Sequence, residues 1–316
     1  MSLAGRTLYH LWHAPLGKTR ALLAAGLIDS FRTAVGQRAM EKAAHNLPLV
    51  RTSGGTPLQL HLLTGRRFWY QTAFCLWTFA RHTGRPIDPV LYDDGTLDET
   101  SLHSLRRLFP TVRCVSQPQA IAHLDQHLPA QRYPTLRERW LNYPNLRKLI
   151  DPHLASSGWK LVVDSDLLFF REPRCLVKWL DDPQQPLHAV DCVTSYGYSP
   201  ALMSELAGGP VPELVNVGLT GLDSAALDWD RLEFWCRTLI ERERPHYYLE
   251  QALIAMLVTG QSCTVAPATD YITGPTPPEA VDCRAVMHHY VAQSKRWYFQ
   301  RNWRLALAPS VDFRHD

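Results

Sequence analysis

From residue 58 onward the chain alternates short apolar runs with segments of helical period, and that alternation restricts it to one architectural class. Residues 58–63 (Leu-Gln-Leu-His-Leu-Leu) read as a strand that stops at Thr64-Gly65. Residues 68–82 read as a helix rich in aromatic side chains, 89–92 as a second strand ending in Asp93-Asp94-Gly95, and 97–108 as a helix. A third strand over 111–115, a helical stretch around 136–155 and a fourth strand over 159–163 continue the pattern. Strand–helix–strand units imply an α/β fold with a mostly parallel sheet flanked by helices. Residues 1–46 carry Leu, Ala, Arg and Lys in a broken helical period, and Thr52-Ser53-Gly54-Gly55-Thr56-Pro57 is a loop signal. Two parts are therefore expected: a helical N-terminal extension over 1–57 and the α/β domain over 58–316.

The fourth strand runs straight into Asp164-Ser165-Asp166-Leu167-Leu168-Phe169-Phe170. An apolar strand has no use for two carboxylates unless something cationic meets them. In extended backbone the side chains at i and i+2 share a face, so Asp164 and Asp166 make a site for a hard divalent cation. A second Asp-x-Asp, Asp228-Trp229-Asp230, precedes Arg231-Leu232-Glu233 and reads instead as the acidic first turn of a helix. In a mostly parallel sheet, ligands collect beyond the carboxyl ends of the strands. Thr64-Gly65, Asp93-Asp94-Gly95 and Asp164-Ser165-Asp166 all fall at such ends. No Gly-x-Gly-x-x-Gly and no Walker sequence occurs, so a bound phosphate is expected to be gripped by metal and side chains.

Composition narrows the partners. Hydrophobic residues at 46% and charged residues at 20% describe a globular protein able to bury a sizeable core. The net charge is +3, with basic residues gathered at Arg6, Lys18, Arg20, Arg32, Arg38 and Lys42 and again at Lys295, Arg296, Arg301 and Arg304. Neither cluster is dense enough to propose nucleic acid, and both read as solvated helix faces. Seven scattered cysteines, an odd count without Cys-x-x-Cys, argue for reduced thiols in a cytoplasmic setting and against a disulfide or zinc framework. His10 and His13, three apart on the expected helix, read as a surface pair. The apolar run over 21–28 is far shorter than the roughly 18 residues a span needs. No signal peptide and no transmembrane anchor are expected, which leaves any membrane contact peripheral.

Later segments add polar residues inside apolar surroundings. Asn216-Val217-Gly218 interrupts a strand-like run, either as a bulge or as an amide for ligand hydroxyls beside a close backbone approach. Glu250-Gln251-Ala252 opens a helix, and His288-His289 follows the apolar stretch 285–287. Lys295-Arg296-Trp297 comes last. In this order the residues resemble a GT-A type nucleotide-sugar glycosyltransferase. The chain is similar to the retaining group that includes glycogenin and the bacterial lipooligosaccharide galactosyltransferases (glycosyltransferase family 8). That group carries Asp-x-Asp after a strand, then Asn-x-Gly, then Asp-Gln-Asp, then His-x-x-Gly-x-x-Lys-Pro-Trp. The counterparts are Asp164-Ser165-Asp166, Asn216-Val217-Gly218, Glu250-Gln251-Ala252 and the run from His289 to Trp297, with the His–Lys–Trp spacing kept. Ala292 stands where the group has Gly, Arg296 where it has Pro, and Glu250 and Ala252 flank Gln251 in place of Asp. The resemblance spans about residues 58–304.

The resemblance implies a GT-A, Rossmann-like fold and transfer of a sugar from a nucleotide-sugar donor, UDP-linked, to a hydroxyl acceptor with retention of configuration. The acceptor would be a saccharide, a lipid-linked glycan or a protein hydroxyl. It implies Asp164, Asp166 and His289 as metal ligands. Carboxylate and imidazole together suit Mn2+ at least as well as Mg2+. It also implies Thr64, Asp93, Asp94, Arg147, Lys148, Ser165, Asn216, Gly218 and Lys295 around the donor, and Glu250 and Gln251 facing the reacting carbon. His288, Trp297, Tyr298 and Trp303 are expected to pack rather than bind. The competing expectation is a metal-dependent phosphohydrolase or nucleotidyltransferase. An Asp-x-Asp after an apolar strand also opens the haloacid-dehalogenase phosphatases, though there it lies on the first strand. A non-catalytic binding protein on the same fold is a third.

Overall fold

A computed structural model describes residues 26–308. The expectations for His10, His13 and the basic residues Arg6, Lys18 and Arg20 lie outside the described residues. In chain order the elements begin with helix α1 (Leu27–Ala44), strand β1 (Leu58–Thr64), α2 (Trp69–Thr83), β2 (Ile87–Asp93), α3 (Glu99–Leu108) and β3 (Arg113–Val115). Helices α4 (Gln117–His127), α5 (Pro134–Asn142) and the one-turn α6 (Arg147–Ile150) follow, then β4 (Trp159–Val163) and β5 (Leu167–Phe169). The second half holds α7 (Arg174–Asp181), β6 (Leu187–Val190), α8 (Pro200–Ala207), β7 (Val215–Asp223), α9 (Trp229–Glu243) and α10 (Leu249–Leu257). It closes with β8 (Thr264–Val265), β9 (Tyr271–Thr273), α11 (Pro277–Asp282), β10 (Met287–His289), α12 (Lys295–Trp297), a π-helical turn at Tyr298–Asn302 and α13 (Trp303–Leu307).

A seven-stranded sheet runs in the order β3-β2-β1-β4-β7-β6-β8. Strands β3, β2, β1 and β4 are parallel; β7 pairs antiparallel with both β4 and β6, and β6 runs parallel to β8. Only β7 is therefore reversed, and the carboxyl ends of β1, β2, β4 and β6 share one edge. The inner strands are covered on both faces, so β1 is buried along most of its length, as a continuous apolar run requires. Its helices start where the sequence supplies caps. Asp98 accepts from Ser101 N (2.8 Å) to open α3, Ser116 and Gln119 form a capping box for α4, and Asp228 accepts from Arg231 N (3.0 Å) to open α9. The Asp228-Trp229-Asp230 motif is thus a helix start, as its sequence context implies.

The expected helical stretch around 136–155 is broken into α5, a 3-10 turn and α6. Pro144 cannot continue the α-helical ladder, and Tyr143 before it is held extended in φ. Helix α1 packs onto the α/β domain directly. Met40 and Ala44, and Leu47 beyond it, are fully buried in the same cluster as α2 and β1. A Cβ built on Gly36 would stand 2.1 Å from the Phe299 carbonyl oxygen, so the helix lies against the π-helical turn at a distance only glycine permits.

A second, three-stranded sheet in the order β5-β10-β9 sits at the carboxyl edge of the first. It pairs Met287 with Phe169, His288 with Leu168 and His289 with Leu167, antiparallel. This small sheet is what positions the site.

Candidate active site

Asp164 and Asp166 occupy the junction between β4 and β5, where the chain leaves the large sheet for the small one. The Asp164 amide still donates to Gly218 O of β7 (2.8 Å), which prolongs the β4–β7 ladder by one residue. On the other side, Tyr290 N donates to Asp166 O (3.1 Å), prolonging the β5–β10 ladder. His289, directly opposite Leu167, is thereby brought beside both carboxylates: its Nε2 lies 3.3 Å from Asp166 Oδ1 and 3.7 Å from Asp164 Oδ2. Because side chains alternate along a strand, His288 points the other way. It packs against Phe170 and Tyr290, and burial lowers its pKa to about 4. The two adjacent histidines separate into one ligand candidate and one packing residue.

Asn216 and Gly218 orient His289. The β6–β7 pairing slips between His188 and Ala189, so Asn216-Val217-Gly218 sits in an irregularity of the strand. Asn216 Oδ1 accepts from Gly218 N (3.0 Å), which fixes which end of the amide is the oxygen. The same oxygen lies 3.1 Å from His289 Nδ1, so that nitrogen carries the proton and Nε2 presents its lone pair to the two carboxylates. Gly218 has a steric role as well: a Cβ there would lie 2.2 Å from His289 Cε1. Asn216, expected among sugar hydroxyls, has its carbonyl oxygen engaged by the histidine and by Gly218, which leaves its Nδ2 end for a ligand.

Two lysines flank this cluster. Lys148, on α6, donates to Asp164 Oδ1 (2.7 Å) and reaches Glu250 Oε2 (3.2 Å). Burial opposes its charge, but Asp164 and Glu250 outweigh that and hold its pKa above the usual lysine range. Lys295, on α12, lies 3.0 Å from Asp166 Oδ2, and that carboxylate raises its pKa. Burial pushes the Asp166 carboxyl up, yet the charge of Lys295 against it holds that carboxyl below the usual range. Glu250, in the first turn of α10, is the opposite case. Burial, reinforced by Asp164, raises its pKa to about 8 in spite of Lys148. Gln251 donates from Nε2 to Asp191 Oδ2 (2.8 Å) and to Val215 O (3.0 Å). Asp191 was not singled out from the sequence, although it repeats the signal of Asp93 and Asp164, an acid at the carboxyl end of an apolar strand.

The remaining expected residues line the same edge in different ways. Thr64, buried at the end of β1, shares a hydrogen bond with Thr72 (2.8 Å). Asp93 Oδ1 accepts from the amides of Gly95, Thr96 and Leu97, and Asp94 Oδ1 from the Thr96 amide and hydroxyl, so both carboxylates shape the β2 loop. Asp94 lies over Gly65. Ser165 is half-buried between the two acids. Arg147 is not gathered around Asp164. Its Nε meets buried Asp151 (3.0 Å), its Nη2 donates to Asp93 O (2.7 Å), and its guanidinium covers Trp140. Ala292, standing where the resembled group has glycine, adopts the left-handed φ of 44°. Beside it, a cavity of about 220 Å3 is lined by Cys192, Gly274, Val291 and Trp297 among others. A larger cavity of about 430 Å3, lined by Tyr92, Cys114 and His123, involves none of the expected site residues.

The donor set fits a divalent cation. Ligand atoms of Asp164, Asp166 and His289 all lie within 4.8 Å of one another. Asp166 Oδ1 is buried without a hydrogen-bond partner, and three lone-pair donors facing one another repel unless a cation stands between them.

No protein-family model matches the chain, and no curated protein does by sequence. Solved structures do. Mouse xyloside xylosyltransferase 1, in its apo form, is 13% identical and superposes with a TM-score of 0.52 over 76% of this chain and 99% of that one. The galactosyltransferase LgtC in complex with donor and acceptor sugar analogs is 13% identical, with a TM-score of 0.51 over 79% of this chain and 95% of that one. These likenesses establish the GT-A fold for this chain.

Proposed function

We propose that the protein is a glycosyltransferase that moves a sugar from a nucleotide-sugar donor, UDP-linked, to a hydroxyl acceptor with the help of a divalent cation. The observation that carries this reading is the convergence of Asp164, Asp166 and His289 between two lysines at the carboxyl edge of a GT-A sheet. Asp164, Asp166 and His289 would hold Mn2+ or Mg2+, which supplies Lewis-acid neutralisation of the diphosphate leaving group. Lys295 then has two partners to choose between. With a donor bound, its ammonium turns from Asp166 to the phosphates and adds a second fixed positive charge where the leaving group develops its own. Thr64, Asp93, Asp94, Arg147 and Ser165 belong to the nucleoside side in this reading, and the backbone at Gly218 to the sugar.

Glu250 and Gln251 face the reacting carbon from the α10 side. With a pKa of about 8 and Lys148 at 3.2 Å, Glu250 is a poor carboxylate nucleophile near neutrality. That favours a retaining route in which the acceptor hydroxyl attacks on the leaving-group face and passes its proton to the departing phosphate oxygen. Gln251, whose N–H groups are anchored by Asp191 and Val215 O, leaves its carbonyl oxygen to accept from a sugar hydroxyl during that step. The cavity beside Ala292 and Trp297, next to Lys295, suits the acceptor. A cytoplasmic setting completes the reading.

The test is a screen of sugar nucleotides with Mn2+ for thermal stabilisation, followed by turnover of the best donor. Asp166→Ala should abolish both metal-dependent stabilisation and turnover. Unchanged turnover in that variant would sink the metal assignment. Stabilisation by phosphate esters or nucleoside triphosphates, but by no sugar nucleotide, would favour a phosphohydrolase or nucleotidyltransferase instead.

A further inference from the structure

Helix α1 carries an unpartnered apolar stripe. Leu27, Ile28, Phe31 and Val35 are 79, 71, 70 and 47% exposed, unusual values for four large apolar side chains on one helix. At about 100° per residue these four, with Arg38 and Lys42, fall within an arc of about 100°. Gly36, Met40 and Ala44, which dock the helix onto the domain, lie on the opposite side. The outward face thus carries its apolar side chains towards the start of the helix and Arg38 and Lys42 towards its end, with Glu41 at the margin. Arg32, Arg38 and Lys42 are exposed and form no ion pair among the described residues.

The π-helical turn, remote in sequence, packs against the other side of α1, away from this stripe. Gln300 donates to Asp29 O (3.2 Å) and Thr33 Oγ1 (2.9 Å), which seats the π-helical turn against the first half of α1. Exposed Arg301 and Arg304 and partly exposed Leu305 come with it. Residues 1–25, which lead into the apolar end of α1, contain Arg6, Lys18, Arg20, Trp12 and six leucines, and no Asp or Glu.

We infer that this face docks on an anionic lipid surface. Apolar side chains bracketed by unpaired cations fit the boundary between acyl chains and acidic headgroups. The acid-free composition of residues 1–25 gives a lipid surface more of the same charge complementarity, whereas a second copy of the chain would oppose like charges. Arg296 Nη1 lies 3.6 Å from Asp29 Oδ2 on the first turn of α1, and Lys295 beside it reaches Asp166. Docking would therefore leave the proposed active site on the far side of α1 from the bilayer, one helix diameter (~10 Å) away. The docking itself does not depend on the catalytic reading.

Flotation of the full chain with phosphatidylcholine vesicles, with and without phosphatidylglycerol, tests the inference. Binding is expected only with phosphatidylglycerol and should weaken steeply with added salt. Arg38→Ala with Lys42→Ala should lower vesicle affinity by about 30-fold, near fivefold for each cation. Phe31→Ser should lower it further, with thermal unfolding unchanged because the side chain is exposed. Absence of binding to acidic vesicles, or binding indifferent to these substitutions, overturns the inference. So does a concentration-dependent dimer, seen by sedimentation, that Phe31→Ser dissolves while acidic vesicles leave the wild-type chain unbound.

Discussion

Gly218→Ala isolates the geometry of the proposed metal site from its chemistry, because it removes no ligand. The Cβ would lie 2.2 Å from His289 Cε1, 2.6 Å from Nδ1 and 2.8 Å from Nε2. Carbon atoms rest about 3.5 Å apart, so the imidazole must retreat by about 1.3 Å. Metal–ligand distances tolerate about 0.2 Å, so the displaced Nε2 no longer serves. The ring also leaves Asn216 Oδ1, which holds its tautomer. Disturbing such an orienting contact typically costs about 10–100-fold in metal affinity. Titration calorimetry with Mn2+ in the presence of UDP should therefore give for Gly218→Ala a loss as large as for His289→Ala. The fold should survive, at an overpacking cost of about 1–3 kcal/mol read from urea unfolding. Wild-type Mn2+ affinity in a folded Gly218→Ala protein would refute the assignment of His289 as a ligand.

The other expectations are as concrete. Lys148→Met strands Asp164 and Glu250 without their shared cation and should destabilise by about 3–5 kcal/mol in urea, with Glu250→Gln restoring part of the loss. Burial, helped by Lys160, depresses His61 and His153 to a pKa of about 3 from an ordinary 6.5. The unfolded chain then takes up protons that the folded chain refuses, so stability is level above pH 6.5 and falls below it, by about 2 kcal/mol per histidine at pH 5. A urea midpoint equal at pH 5 and pH 7.5 would contradict this. Gly36→Ala forces its methyl onto the Phe299 carbonyl and should cost about 1–3 kcal/mol, seen as a lowered Tm. Ala292→Gly relieves a left-handed backbone and should raise stability by about 1 kcal/mol, read as a higher urea midpoint.

Much of this was legible in the chain. Apolar runs broken by acids at Asp93 and Asp164 implied parallel strands with their carboxyl ends on one edge, and that edge is where the candidate residues gather. The cap at Asp228 is a local hydrogen bond within three residues, so the Asp228-Trp229-Asp230 run shows it directly. Asp191 carries the same signal more weakly, because its strand, Leu187–Val190, is short and edged by polar residues.

What sequence could not decide is which groups face each other. The spacing to Lys295 favoured His289 over His288 only by resemblance; the physical reason is the antiparallel register of β10 on β5, which sets one ring beside Asp166 and the other against Phe170. Arg147 and Lys148 are neighbours of equal charge, yet one turn of helix sends the first to Asp151 and the second to Asp164. Likewise α1 and the turn that carries Arg301, far apart in sequence, pack together because Gly36 lets the helix lie against Phe299. Backbone propensities and polarity act over a few residues and were enough for the elements and their order. The site depends on strand register and helix docking, which are settled only when the whole core packs at once.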